Sequence, residues 1–430
     1  MKRISLPAIT LLLFVLLFTP AYGFSGDVPI LDITSPEIRK IQFAVPWFTG
    51  QGIPGPQNQG KTMSTLLAKS LQFHGIISII PASDYHGSQS ADWKRVGADY
   101  TVLGRYSGSA NGIMLELRLL EVVSGNMILG KKYNGSLKQT TDMLYRFCDT
   151  VIRELTGSNG IAQSQIAFVS DQSGAREAHL TDILGHSNRQ ITRHKNLIVS
   201  PRFTPDSTYL AYTSYHSGNQ NLYITDLRQS KVTRALSRRK GMNLAPAWSP
   251  DGSKMVLTLS KDGNPDLYLL DKKGRVLSRL TRGSGINVSP SWSPDGSRIV
   301  FVSDRSGKPQ LYTMDMKTRR VQRITFKGVE NAEPTWSPTE NLIVYSSLIN
   351  GVYQICTIAP EPGARHTQVT KDRSHHESPA WSPDGNQIIF SKQDGRRHRI
   401  YAIMKNGSYQ RALFSFPGNQ TYPRWSKNYR

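Results

Sequence analysis

One short pattern occurs six times in the last two-thirds of this chain, and nothing else in the sequence constrains the fold so tightly. The copies read SPRFTPDS (200–207), APAWSPDG (245–252), SPSWSPDG (289–296), EPTWSPTE (333–340), SPAWSPDG (378–385) and YPRWSKNY (422–429). Their shared aromatic falls at Phe203, Trp248, Trp292, Trp336, Trp381 and Trp425, in steps of 45, 44, 44, 45 and 44 residues. A unit of this length, with room for four short strands, is a β-propeller blade. The nearly constant step means that each unit packs on an equivalent neighbour, since insertions would break the spacing.

Residues 289–325 show the contents of a blade. Pro290 and Trp292 lie in a short strand, and Ser293-Pro294-Asp295-Gly296 supplies a tight turn in which proline presets φ and glycine closes. The apolar run Ile299-Val300-Phe301-Val302 fits a strand covered on both faces. A second turn at 304–307, a strand at 310–315 and a strand at 321–325 complete it. The apolar strand also recurs six times, at 166–169, 210–213, 255–258, 299–302, 343–346 and 388–391. Its first copy has no aromatic strand before it, and Trp425 has no apolar run after it. The two chain ends are therefore expected to be halves of one blade, which closes the ring and removes exposed edges. An open β-solenoid is the alternative. The expected fold class is a six-bladed β-propeller with WSPDG-type repeats over residues 164–430, preceded by a small α/β domain.

Residues 1–23 read as a signal peptide. Lys2-Arg3 is a basic start, residues 8–18 are an apolar core too short to span a bilayer, and Ala21-Tyr22-Gly23 is a small-x-small cleavage site. A mature chain in an extracytoplasmic space, not membrane-spanning, is expected. Residues 24–157 carry no repeat. They predict strands at 41–45, 76–80, 100–103, 114–122 and 127–133, and helices at 63–73, 91–96 and 141–155. The last helix carries an apolar stripe of Leu144, Phe147, Cys148, Val151, Ile152 and Leu155. Gly157 ends it, and residues 158–163 are read as a linker. Cys148 and Cys356 are expected to be buried free thiols.

The chain holds 53 Lys and Arg against 31 Asp and Glu, a formal charge of +22. An exported protein meets anionic envelope polymers rather than nucleic acid, so no nucleic-acid partner is inferred and a solvated basic surface is expected. Residues 55–62, GPQNQGKT, match G-x(4)-G-K-T, the phosphate-cradling loop of nucleoside triphosphatases. The strand before it ends too early, no magnesium-binding aspartate strand is evident, and export removes the nucleotide, so a loop leading into a helix is expected. There is no G-x-S-x-G nucleophile elbow. His375-His376-Glu377 lack a companion ligand set and are read as a solvent loop, so no cofactor or metal site is expected.

Five residues before the repeat aromatic stand Asn243, Asn287, Asn331, His376 and Gln420, the first blade breaking the series with Ile198. One polar residue per blade at one offset forms a ring. It is expected to line one mouth of the central channel, beside Met242, Leu244, Ala245, Val288, Ala332, Glu333 and Glu377. Loop amides satisfying local backbone are the equal alternative. Asn287→Arg or Ala245→Arg is expected to block binding there without unfolding the ring, since both residues are read as lying outside the strands.

The export signal, the small α/β domain and repeats of the form xPxWSPDGxxIxF resemble the TolB family of the Tol-Pal envelope system. The resemblance covers the whole mature chain, and residues 38–48 look like the family's first strand. It implies a non-enzymatic periplasmic adaptor serving outer-membrane integrity and constriction at cell division. It implies that the propeller mouth binds the lipoprotein Pal, with the contact loops mapping to Met242, Ala245 and Val288. It also implies that the mature N-terminus binds TolA, the segment mapping to residues 27–35 within 24–35. There Val28, Ile30, Leu31, Asp32 and Ile33 could add as a strand to a partner's sheet edge, with Pro29 restricting the segment to an edge position. Other outer-membrane or peptidoglycan-associated proteins are further candidate partners. A propeller hydrolase or lyase with an axial site, and a basic envelope-polymer binder, are the alternatives.

Overall fold

A computed structural model describes residues 39–51, 58–109, 112–229 and 233–427. Residues 1–23, the segment 24–35 and the first three residues of GPQNQGKT lie outside the described residues, and residues 59–62 of that motif form the start of a helix. The first domain holds strands β1 (Ile41–Ala44), β2 (Thr49–Gln51), β3 (Ile77–Ile79), β4 (Tyr100–Ser109), β5 (Gly112–Glu121) and β6 (Met127–Gly135). Helices α1 (Gln59–Phe73), α2 (Trp93–Val96) and α3 (Thr140–Thr156) accompany them. The sheet order is β3-β1-β4-β5-β6, with β2 also paired to β4. The β1–β3, β1–β4 and β2–β4 pairs are parallel and the rest antiparallel. Leu67 and Leu71 of α1, with Leu144, Phe147 and Val151 of α3, bury against Val102, Leu115 and Leu117 of the sheet. Alternation along β5 puts Leu115, Leu117 and Leu119 on that one face. β4 runs six residues beyond the expected strand, and β2 was not foreseen, because its fully exposed TGQ carries no hydrophobic period.

Six four-stranded antiparallel sheets follow. Five run in chain order from an aromatic-bearing strand outward, and the sixth takes Gln420–Trp425 together with Gln165–Ser170, Glu177–Asp182 and Asn188–Gln190. Trp425 pairs opposite Ile166, so the ring closes through the chain ends as the half-repeats require. The aromatic-bearing strands pack on one another around the ring and are the innermost. Each is bulged at one place: register shifts fall four to one residues before the aromatic in all six. At the bulge stand Ser200, Ala245, Ser289, Glu333, Ser378 and Tyr422, all left-handed with φ between 51° and 57°, each followed by proline. A non-glycine residue seldom takes this conformation, and six at one offset make it a built feature that re-aims the side chains on either side.

The two domains share one apolar core, which takes in Leu71 and Phe73 together with Phe168, Ile389, Ile400 and Trp425, the Phe73 and Trp425 rings lying edge-on 6.0 Å apart. Residues 158–163 are not a free spacer. Ile161 and Ala162 are fully buried, and the Asp149 carboxylate accepts from the amides of Ala162 (2.7 Å) and Gln163 (3.1 Å). His74 Nε2 accepts from the Ile161 amide at 3.0 Å, while Nδ1, 2.9 Å from the Ser70 carbonyl, must then carry the proton. Burial lowers the His74 pKa, with Asp149 opposing. Arg411 and Gln387 of the propeller donate to the Phe73 carbonyl at the end of α1. Cys148 and Cys356 are buried free thiols, whose pKa values burial raises.

Candidate functional site at the propeller mouth

The inner strands run from one end of the central channel to the other, so a residue's offset from the aromatic fixes its level. The end where these strands begin is called the upper mouth. It holds a cavity of about 330 Å³ lined by Ala332, Glu333, Glu377, Ser378, Thr421 and Tyr422, at offsets of four and three, with Asp171, Arg176, Tyr353, His398 and Asn419 from the surrounding loops and strands. The cavity is off-axis, on the side of the last three blades. Glu333, left-handed at its bulge, reaches the next blade and accepts from the Ser378 amide (2.6 Å) and hydroxyl (2.8 Å). Glu377 has its pKa raised by burial and by the nearby Glu333 charge. Burial likewise raises Tyr422, helped by Glu333 and Glu377. Asp171 is desolvated, yet its pKa is lowered, because the Asn419 amide and side chain donate to its carboxylate, both at 2.7 Å. Carboxylates, a guanidinium and two phenols thus share a half-open cavity with apolar patches, the make-up of a recognition site for a polar surface.

The polar ring does not line this mouth. Asn243, Asn287, Asn331, His376 and Gln420 are fully buried at the first positions of their inner strands. They join each blade to the one before it. The Asn287 amide donates to Asp266 (3.0 Å) and to the Gly285 carbonyl (2.9 Å), while Thr281 donates to the same Asp266 oxygen (2.6 Å). One blade on, Asn331 and Thr325 both donate to Gln310, each at 2.8 Å. Asn243 donates to the carbonyls of Gln220, Arg239 and Gly241. Buried polar groups require such partners. In the first blade Ile198 needs none, because Glu177 takes Thr192 and the Lys195 amide instead. His376 therefore opens a strand and is not in a solvent loop, as its pKa, lowered by burial, reflects. Asn287 and Ala245 lie within strands and are buried, so the expected harmlessness of arginine there fails on packing grounds.

Of the other expected residues, Met242 and Val288 are half-buried and Ala245 nearly buried, and none lines the cavity. Glu333, Ala332 and Glu377 do. The sequence reading missed Asp171, Arg176, Tyr353, His398, Asn419 and Tyr422. Tyr422 could have been found, since it holds the same offset as Glu333; the loop residues share no offset. His74, Cys148 and Asp149 cluster within 4.8 Å, but both nitrogens of His74 and the carboxylate of Asp149 are occupied by hydrogen bonds.

Comparison with known proteins decides the family. Residues 152–429 match the model of the TolB beta propeller domain, and residues 29–128 that of the TolB amino-terminal domain. The chain belongs to the TolB family. The Tol-Pal system protein TolB of Desulfotalea psychrophila is 56% identical over 435 residues, covering 99% of both chains. That of Desulfosudis oleivorans is 38% identical over 237 residues, 52% of this chain and 53% of that one. The crystal structure of TolB from Acinetobacter baumannii superposes with a TM-score of 0.80 at 25% identity, over 91% of this chain and 97% of that one. The six blades and the preceding α/β domain are thus those of a TolB protein. Among the described residues no helix is long and apolar enough to cross a membrane.

Proposed function

We propose that this TolB-family chain is a periplasmic adaptor of the Tol-Pal system, performing no chemistry of its own. Its upper mouth holds the lipoprotein Pal, and residues 24–35 engage TolA, with Val28, Ile30, Leu31, Asp32 and Ile33 adding to a partner strand. This coupling serves outer-membrane integrity and constriction at division. Export through residues 1–23 is the ground for the periplasmic placement. The observation that carries the binding site is the upper cavity. It combines Glu333, Glu377 and Asp171 with Arg176 and two tyrosines, a mixture suited to both hydrogen-bonded and apolar contact. The buried amide ring enters this reading as the frame of the mouth. Met242, Ala245 and Val288 lie near its level on the opposite blades and would contact a partner wide enough to cover the whole ring.

The test is calorimetric titration of mature protein with the purified periplasmic domain of Pal. Ala332 is half-exposed on the cavity wall. Ala332→Arg should weaken Pal at least ~10-fold with an unchanged unfolding midpoint, because it fills the cavity without entering the core. Removal of residues 24–35 should abolish TolA binding and leave the Ala332-sensitive site intact. Wild-type affinity for Pal in Ala332→Arg would refute the placement, and Pal failing to bind the wild type would refute the adaptor reading.

A further inference from the structure

The opposite end of the channel carries a different chemistry. Below the bulge, the inner strands present their prolines, aromatics and following turns to a second cavity, also about 330 Å³. Its walls include Phe203, Trp248, Trp292, Trp336 and Trp425. Among the described residues its charged groups are Arg202, Arg424 and Lys427, and no carboxylate lines it. Arg202 and Arg424 stand one residue before the aromatic in adjoining blades, where the other four blades have Ala247, Ser291, Thr335 and Ala380. The small residues leave the channel open at this level, and the two arginines project into it.

Among the described residues no carboxylate comes within 4.0 Å of either guanidinium, although both sense the charge of Glu333. Glu333 is engaged by Ser378. Arg424 is only 6% exposed. Its Nη1 donates to the carbonyls of Ser378 (2.9 Å), Pro379 (3.4 Å) and Pro423, and its Nε is buried without a partner. Arg202 donates from Nη1 to the neighbouring Pro201 carbonyl at 2.9 Å. Burial and mutual repulsion disfavour the charge of Arg202, yet a guanidinium does not give up its proton in a protein. Two like charges held near each other, Arg424 almost wholly buried and Arg202 partly so, with unused donors, are costly unless an anion joins them. The indole N–H groups of Trp336 and Trp425, both at least nine-tenths buried, also lack partners.

We propose that the lower mouth binds a small organic carboxylate, its carboxyl group between Arg202 and Arg424 and its apolar body against the tryptophans. A planar guanidinium matches a carboxylate two bonds at a time, and the aromatic wall favours a ligand with apolar surface over a bare hydrated ion. The cavity is of small-ligand size rather than a protein interface. This site is separate from the proposed Pal mouth and does not depend on that assignment.

The test uses mature protein in a buffer free of carboxylates and phosphate. Benzoate, benzyl alcohol and inorganic phosphate are titrated separately, with indole fluorescence and the unfolding midpoint as readouts. Benzoate should saturate and raise the midpoint, and benzyl alcohol, which has the ring without the charge, should do neither. Arg202→Met should weaken benzoate at least tenfold. It should leave the midpoint of the ligand-free protein nearly unchanged, since it removes the repulsion on Arg424 but frees only the Pro201 carbonyl. Arg424→Met releases three carbonyls and serves only as a supporting variant. Equal binding of benzyl alcohol and benzoate, unchanged benzoate affinity in Arg202→Met, or no saturable response would overturn the proposal. Phosphate binding more tightly than benzoate would overturn the organic-carboxylate assignment.

Discussion

The two mouths of the channel have the same volume and are built by the same six strands, yet they carry opposite charge. The upper one gathers Asp171, Glu333 and Glu377 around Arg176, and the lower one gathers Arg202, Arg424 and Lys427 with no acid among the described residues. The bulge separates them. Residues three and four before the aromatic face upward, and those from the proline onward face downward. The lower wall is repeat sequence, with proline and aromatic in every blade, and only the residue before the aromatic varies freely. The upper wall is set by loops and by offsets that hold glutamate, serine or tyrosine. Ring symmetry thus dictates the scaffold at both ends and the chemistry at neither.

The sharpest way to break this contrast lies between the mouths and the frame that supports them. Asn287→Arg should destabilise the protein by about 3–5 kcal/mol, since it places an unpaired charge in a fully buried amide's position and strips Asp266 and Gly285 of a donor. Denaturant unfolding would measure it, and a loss under 1 kcal/mol would mean the ring is open to solvent after all. Asp149→Ala should cost about 2–4 kcal/mol by orphaning the amides of Ala162 and Gln163 where the domains join. Its unfolding should separate into two transitions, whereas the mouths of the refolded propeller stay unchanged.

Smaller effects sharpen the comparison. Ala332→Arg should weaken the upper partner by about 1.4 kcal/mol or more and leave benzoate binding unaltered, and Arg202→Met should do the reverse. Coupled losses in both variants would show one continuous site instead of two. Acidification acts mainly on the frame. His74, His179 and His376 have pKa values lowered by burial. The unfolded chain, with histidines near ~6.5, therefore takes up protons that the folded state resists. Stability should be full above about pH 6.5 and fall below it, by at most ~1.4 kcal/mol per pH unit for each histidine that stays neutral. Unfolding curves at pH 7.5 and 5.5 would measure this, and a flat profile would show these histidines charged in the fold. Smallest is the turn aspartate. Asp295 accepts from Ser293 and Ser297, which hold its pKa at about 2, against ~3.9 when unfolded. Its contribution is present above about pH 4 and lost towards pH 2, so Asp295→Asn should lower stability at neutral pH by under ~1 kcal/mol and soften the acid limb.

Legibility in the sequence followed locality. Proline, aromatic and the Ser-Pro-Asp-Gly turn act within a few residues, so the blade, its strands and even the closure between Trp425 and Ile166 could be read from spacing alone. The helix at α3 was legible for the same reason, its stripe of Leu144, Phe147, Cys148 and Val151 repeating with the helical period. The amide ring was legible as a ring but not in its direction. Asn287 points to Asp266 of the preceding blade, and nothing in the offset distinguishes that from the channel.

The sequence by itself determined six repeats, a closed ring and a preceding α/β domain, because each is a matter of period, count or composition. Only the tertiary structure decided what the channel presents. The left-handed bulge turns Glu333 towards Ser378, ring closure sets Asp171, Tyr353 and His398 of different blades around one cavity, and Arg202 and Arg424 come near each other with no carboxylate within 4.0 Å among the described residues. Those outcomes depend on which strands become neighbours in space, and a residue's charge is unmet or satisfied only by what folding places beside it.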